Sequence, residues 1–247
     1  TPPSINTPIK MTTEKIVGII PAKGHSRRIP GKNMRSFNGK PLLFYTIQNI
    51  LSSQLLDVAD VFVSTDSDAI KTYCKDFGIH APFSRPPEHS QDGVHSSVPI
   101  LDMLEKLGGT KRYSYCVQLL PTYPLRRSST IDTVIQLSVS SRSNVLTVTP
   151  LGKVMHHLRA VSPEGFLSPV TENTVYNFQS QDMPELHYIN GVVYCAPTED
   201  LLTHRTFQYG TPQSHIIDKI EAVDIDTEID FRLAEYLFSM KDTVLPI

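Results

Sequence analysis

Residues 21–33, PAKGHSRRIPGKN, hold the densest chemistry in the chain: Lys23, Arg27, Arg28 and Lys32 place four cations within ten residues. Gly24 and Gly31 let backbone approach a ligand closely, and Ser26 and Asn33 add hydrogen-bonding groups. Free N–H groups beside fixed cations make an anion cradle. Four positive charges in one loop suit a triphosphate, which needs several donors at once. The spacing is not that of a Gly-x4-Gly-Lys-Ser/Thr loop, because Gly24 and Gly31 stand seven apart and Asn33 follows Lys32. It is not GxGxxG either, which disfavours hydride chemistry on a dinucleotide fold. A solvated basic loop is the competing reading, and the loop's place directly after an apolar run argues against it.

The second chemical cluster is Asp224 and Asp226 in VDIDTEIDF. Alternate residues of a strand share a face, so both carboxylates would meet one hard cation at a strand end. Mg2+ fits, since it takes one or two carboxylates together with substrate phosphates and water. The plainer alternative is a turn and N-cap pair. Asp230 falls at the start of the following helix, where an acid complements the helix dipole.

These residues need a scaffold, and the hydrophobic period supplies one. IVGII (16–20) is a short apolar run ended by Pro21, as for a strand buried on both faces. Strands are further predicted at 61–65, 114–120, 144–150 and 187–196, and helices at 41–52, 67–78, 98–109 and 129–139. Pro41 is expected at a first helical position, Ser67 as an N-cap and Gly78 as a stop. Residues 221–240 read as strand, turn and closing helix. This order predicts an α/β fold, a mostly parallel sheet with helices on both faces. Ligands of such sheets bind beyond the strands' C-terminal ends, so loops 21–40, 64–68, 120–127 and 224–228 are where a site is expected. From 151 to about 188 the periodicity fades, which reads as an inserted arm.

Length and composition agree. The 247 residues suit one domain with an insertion, long enough to bury roughly 70–75% of its unfolded surface. Lys and Arg number 23 against 25 Asp and Glu, a net charge of −2, which disfavours a general nucleic-acid coat. Cys74, Cys116 and Cys195 form no CxxC pair and no zinc spacing; they read as core in a reducing compartment. No apolar run approaches the length of a membrane span. Residues 1–14 read as a flexible tail without a signal-peptide core, with Met11 a candidate original start, so a cytoplasmic location is expected. His156 and His157 are adjacent and would point apart on a strand, which disfavours a shared zinc.

IIPAKGHSRRIPGKN, GKPLLFYTI (39–47), STDSDAI (64–70), SRPPE (84–88), LLPTYPLR (119–126), NGVVYCAP (190–197) and VDIDTEIDF (223–231) occur in that order. Together they resemble the cytidylyltransferases that activate sialic-acid-type sugars, including N-acylneuraminate, legionaminate, pseudaminate and Kdo relatives, over about 16–240. The resemblance implies a GT-A-like, Rossmann-type fold and a homodimer whose arm reaches the partner's site. It also implies Mg2+ and a reaction of CTP with a sugar acid to give CMP-sugar and pyrophosphate. Other expected readings are an enzyme using UTP or GTP, and a CTP-binding homologue without turnover.

The resemblance also implies roles for residues. Ala22, Lys23, Gly24, Ser26, Arg27, Lys32 and Asn33 would bind the nucleotide, Lys32 on the triphosphate and Asn33 on phosphate or base, with Lys23, Lys32 and Asp226 catalytic and Asp224 and Asp226 on the metal. Lys23 stands where the family usually has Arg, and Arg27 where it has Lys. Arg85 would approach cytosine and ribose, or form a surface salt bridge. Ser96 and Ser97 would touch the base, or cap the next helix; Thr65 and Asp66 end a strand, Asp66 as site residue or N-cap. Gln118, Thr122, Arg126, Gln181 and Asn190 would bind the sugar acid, with Arg126 equally able to cap an element. Leu120 replaces a usual Gln, which leaves the sugar pocket more apolar. Gln179 and Ser180 replace the arginines usual before Gln181-Asp182.

Overall fold

The computed structural model describes residues 12–151, 158–170 and 185–240. In chain order its main elements are β1 (Ile16–Pro21), β2 (Ser36–Phe37), β3 (Lys40–Pro41), α1 (Leu42–Leu51), β4 (Val61–Ser64), α2 (Asp68–Lys75), α3 (Ser97–Lys106) and β5 (Tyr115–Gln118). They continue with α4 (Ser128–Ser141), β6 (Val145–Pro150), β7 (Arg159–Val161), β8 (Leu167–Pro169), β9 (His187–Pro197), α5 (Thr198–His204), β10 (Gln213–Ile216) and α6 (Glu228–Ser239).

The apolar runs become the sheet's interior. Residues 16–20 of β1 are all buried, and β1 pairs in parallel with both β4 and β5. The six strands lie in the order β10-β6-β9-β5-β1-β4. β9 is antiparallel to its neighbours β5 and β6, while β10 is parallel to β6, so five strands run one way and β9 runs back. This is the expected mostly parallel α/β sheet. One face packs around Leu43, Ile47, Ile70 and Ile135, and the other around Ile100, Leu104 and Leu201. Cys74, Cys116 and Cys195 are buried in these layers as expected. Burial pushes the Cys74 thiol up to about 12, which leaves it inert as a nucleophile.

A third, smaller core matters most for the site. Ile29, Phe37, Leu42, Tyr45, Ile225, Phe231 and Ala234 pack together. The Phe37 ring meets Tyr45 edge-on at 5.0 Å and Phe231 at 5.6 Å. Ile29 belongs to the basic loop and Ile225 lies between the two aspartates, so one aromatic cluster fastens both chemical segments to each other.

Several local expectations shift. Pro41 precedes α1 as its N-cap rather than opening it. Ser67 caps α2 as predicted, accepting from the Ile70 N–H at 3.4 Å. The stretch before α6 is no sheet strand: Ile225 donates to the Thr122 carbonyl at 3.0 Å and accepts from Lys32 Nζ at 2.6 Å, outside any ladder. The β2–β3 hairpin, α5, β10 and the short 3-10 turn Lys32–Met34 were not expected. Within the expected arm, β7 and β8 form an antiparallel hairpin. No helix among the described residues is long and apolar enough to cross a membrane.

Candidate active site

The loops after β1, after β5 and before α6 converge on one cavity of about 350 Å³, closed on its remaining side by residues 91–99. Lys23, Ser26, Arg27, Arg28, Lys32, Asn33, Arg85, Thr122, Asp224 and Asp226 line it, as do Ser96 and Leu120. Most of the residues singled out by type and spacing therefore meet at the C-terminal ends of the strands.

The basic loop is held by its own polar groups. The Gly24 N–H donates to Asp66 Oδ1 at 2.7 Å, which ties the loop to the end of β4. A Cβ on Gly24 would stand 2.8 Å from Ser67 Cβ, so only glycine fits there. Asn33 Nδ2 donates to the Lys23 carbonyl at 2.9 Å, closing the loop on itself. Partial burial alone would raise the Asp66 carboxyl, but the Gly24 N–H and the Arg85 charge help hold it below its ordinary value.

The cations have acidic partners. Arg28 stands 3.1 Å from Asp226 Oδ2, and Lys32 3.5 Å from Asp226 Oδ1. Lys23 bonds Asp92 Oδ1 at 2.9 Å, and Arg27 lies 3.5 Å from its other oxygen. Asp92, in the Gln91-Asp92-Gly93 turn, was not anticipated. Its carboxyl is held below the usual range, chiefly by the Lys23 hydrogen bond. An anionic ligand that took up Lys23 and Arg27 would displace Asp92 from both. Asp92→Asn is therefore expected to tighten nucleoside triphosphate binding about two- to fivefold, the scale of exposed ion pairs. Titration calorimetry checks this; weaker binding in the variant would show that Asp92 helps hold the ligand instead.

Asp224 and Asp226 both face the cavity although no ladder strand carries them. Ile225 between them is fully buried, while the carboxylates on either side of it both line the cavity. The pocket wall strips water from Asp224 and raises its carboxyl, and the Asp226 charge adds to this. The Thr122 and Tyr123 hydroxyls and Lys32 act in the opposite sense. Among the described residues no group of three or more His, Cys, Asp or Glu gathers as a metal site. Two hard carboxylates beside a cluster of cations nonetheless offer the kind of ligands that Mg2+ takes from a protein. Asp230 does the structural work expected of it: its carboxylate accepts from the Thr227 N–H at 2.7 Å, and Thr227 caps α6 in return.

Other predicted residues stand behind the wall. Ala22 is fully buried, its N–H donating to the Ser64 carbonyl at 2.9 Å. Ser97 is buried in the first turn of α3 with its hydroxyl on the His95 ring at 2.8 Å, while Ser96 stands at the N-cap and its side chain makes no cap bond. Gln118 is buried beneath Ser96, whose hydroxyl donates to Gln118 Oε1 at 3.3 Å. Arg126 is no surface carboxylate receptor: it is 2% exposed and donates to the Val192 carbonyl at 2.9 Å, the Leu120 carbonyl at 3.2 Å and Thr46 Oγ1 at 2.7 Å. Asn190 spends its amide on Thr147 and Thr149, at 2.6 and 2.9 Å. Arg85 is 8% exposed, donates to the His89 carbonyl and makes no salt bridge among the described residues, which leaves its cavity-facing side for a ligand. Gln179, Ser180, Gln181, Asp182, His156 and His157 lie outside the described residues.

Comparison with known proteins agrees with this geometry. The chain is 28% identical to the CMP-N,N'-diacetyllegionaminic acid synthase of Legionella pneumophila over 94% of its length and 99% of that protein. It is 30% identical to the N-acylneuraminate cytidylyltransferase of Streptococcus agalactiae over 88% of its length, spanning 52% of that longer protein. In fold it is similar to a CMP:2-keto-3-deoxy-manno-octonic acid synthetase solved with CTP, with a TM-score of 0.69, 14% identity, and coverage of 92% of this chain and 99% of that one. Residues 17–241 match the cytidylyltransferase family, which takes in the basic loop, the aspartate pair and every strand except the first residue of β1, and the chain belongs to that family.

Proposed function

We propose that the chain activates a sialic-acid-type sugar, transferring the cytidylyl group of CTP to a nonulosonic acid and releasing pyrophosphate. The observation that carries this reading is the meeting of four cations and two carboxylates in one cavity, in a chain of the cytidylyltransferase family. The anomeric oxygen of the sugar acid attacks the α-phosphorus. A P–O bond forms there, the bond from the α-phosphorus to the bridging oxygen breaks, pyrophosphate leaves and the hydroxyl proton is lost. Positioning and charge stabilisation are the protein's main contributions to such a step. Lys23, Arg27, Arg28 and Lys32 hold the triphosphate, with Ser26 donating to it. Arg85 and Ser96 face the nucleoside end.

Asp224 and Asp226 would hold Mg2+, which when bound neutralises phosphate charge and aligns the leaving group. Thr122 and Leu120 form the sugar side. A neuraminate- or legionaminate-like acid is the first choice of acceptor. The Arg27-Arg28 pair keeps a pseudaminate-type acid as second, with Kdo third. With CTP as donor the chain would work where CTP is made, in the cytoplasm.

A homodimer joined through the arm belongs to the same reading. Val161 is 67%, Phe166 75% and Leu167 69% exposed on the β7–β8 hairpin, an apolar surface suited to a second copy. A monomeric mass by light scattering at micromolar concentration would overturn it. The nucleotide assignment is tested by comparing CTP with UTP: at least tenfold tighter binding of CTP is expected, and equal binding would point to a different nucleotide class.

A further inference from the structure

Tyr123 stands out among the buried groups that the proposed chemistry does not use. It is 5% exposed, in the Pro121-Thr122-Tyr123-Pro124 loop after β5. Its hydroxyl accepts from the Gly191 N–H at 2.9 Å and lies 3.1 Å from Asp224 Oδ2. A backbone N–H can only donate, so the phenol proton is free for Asp224. Gly191 makes room for this contact. Its φ is not positive, yet a Cβ there would stand 2.8 Å from the Tyr123 hydroxyl and 2.9 Å from Leu120 Cδ1. The neighbouring Thr122 carbonyl also takes the Ile225 N–H at 3.0 Å, so adjacent residues grip both side chain and backbone of the aspartate segment.

We infer that Tyr123 is a positioning residue for the cation: its hydroxyl, steered by the Gly191 N–H, sets the orientation of the Asp224 carboxylate toward the cavity. The inference rests on the assignment of Asp224 and Asp226 to Mg2+. Groups that hold a ligating carboxylate in place tune metal affinity by roughly ten- to a hundredfold. The arrangement joins β9, which returns from the arm, to the carboxylate that would bind metal, through one hydroxyl.

The test uses Tyr123→Phe and Gly191→Ala in the full chain. Gly191→Ala keeps the phenol but pushes its hydroxyl off station. Mn2+ binding to the CTP complex is read by electron paramagnetic resonance, alongside the Mg2+ dependence of turnover and thermal melting. Each folded variant is expected to weaken Mn2+ binding and raise the half-saturating Mg2+ roughly tenfold or more, while kcat recovers at saturating Mg2+. A role in packing alone would lower the melting temperature without moving either metal constant, and would overturn the inference. Wild-type protein that binds no Mn2+ with CTP and turns over without divalent cation would instead overturn the metal assignment itself.

Discussion

Asp226→Asn is expected to lower kcat/KM for CTP by roughly a hundred- to a thousandfold, the scale of losing one preorganised charge-stabilising group. The substitution keeps size and shape and removes only the charge. Asp226 is more than half exposed in its side chain and its ion pairs face the cavity, so the fold should scarcely notice. Its backbone N–H still donates to Asp230 at 3.2 Å. The loss should therefore appear as a raised Mg2+ requirement and slower turnover with an unchanged melting temperature. Steady-state kinetics across a Mg2+ series check this. Near-normal turnover with a normal Mg2+ dependence would remove Asp226 from the metal role and leave it as a partner of Arg28 and Lys32.

Arg126→Met is expected to act in the opposite manner, through the fold. The guanidinium is enclosed, and burial lowers it to about 10, so it remains charged at neutral pH. It straps the β5 loop to β9 and α1 through Leu120, Val192 and Thr46. Methionine fills much of the volume but removes the Arg126 donor from the buried bond to the Val192 carbonyl and the part-buried bond to the Leu120 carbonyl, each costing about 1–3 kcal/mol. The variant should lose about 3 kcal/mol of stability in urea denaturation. Stability within about 0.5 kcal/mol of wild type, the ordinary range of surface substitutions, with a collapsed affinity for the sugar acid would restore the carboxylate-binding role.

Arg126 also shows where reading the sequence stops. Its residue type suits a carboxylate ligand as well as a structural strap, and nothing in LLPTYPLR tells which way a buried guanidinium turns. The same holds for Asn190, whose place beside Gly191 suggests sugar contact while its amide faces Thr147 and Thr149. The basic loop was legible because four cations and two glycines beside a wholly apolar strand have few other uses. The aspartate pair was legible for its spacing, although the supporting element is a single residue, Ile225, clamped between Thr122 and Lys32. A period of two in the sequence predicts a strand, but the segment joins no sheet and is placed by its contacts instead. Asp92 went unnoticed because its role depends on a loop from beyond β4 folding back over Lys23, a contact 69 residues apart in sequence. Tyr123 was hidden for a similar reason, since its partners Gly191 and Asp224 come from two other segments.

Pyrophosphate release in the presence of CTP, Mg2+ and a panel of nonulosonic acids, with UTP and Kdo as controls, tests the proposed reaction most directly. Release with CTP and a neuraminate- or legionaminate-like acid, but not with UTP, is the predicted result. Clear CTP binding without release for any acid on the panel would contradict it and mark the chain as a nucleotide-binding member of its family without this activity.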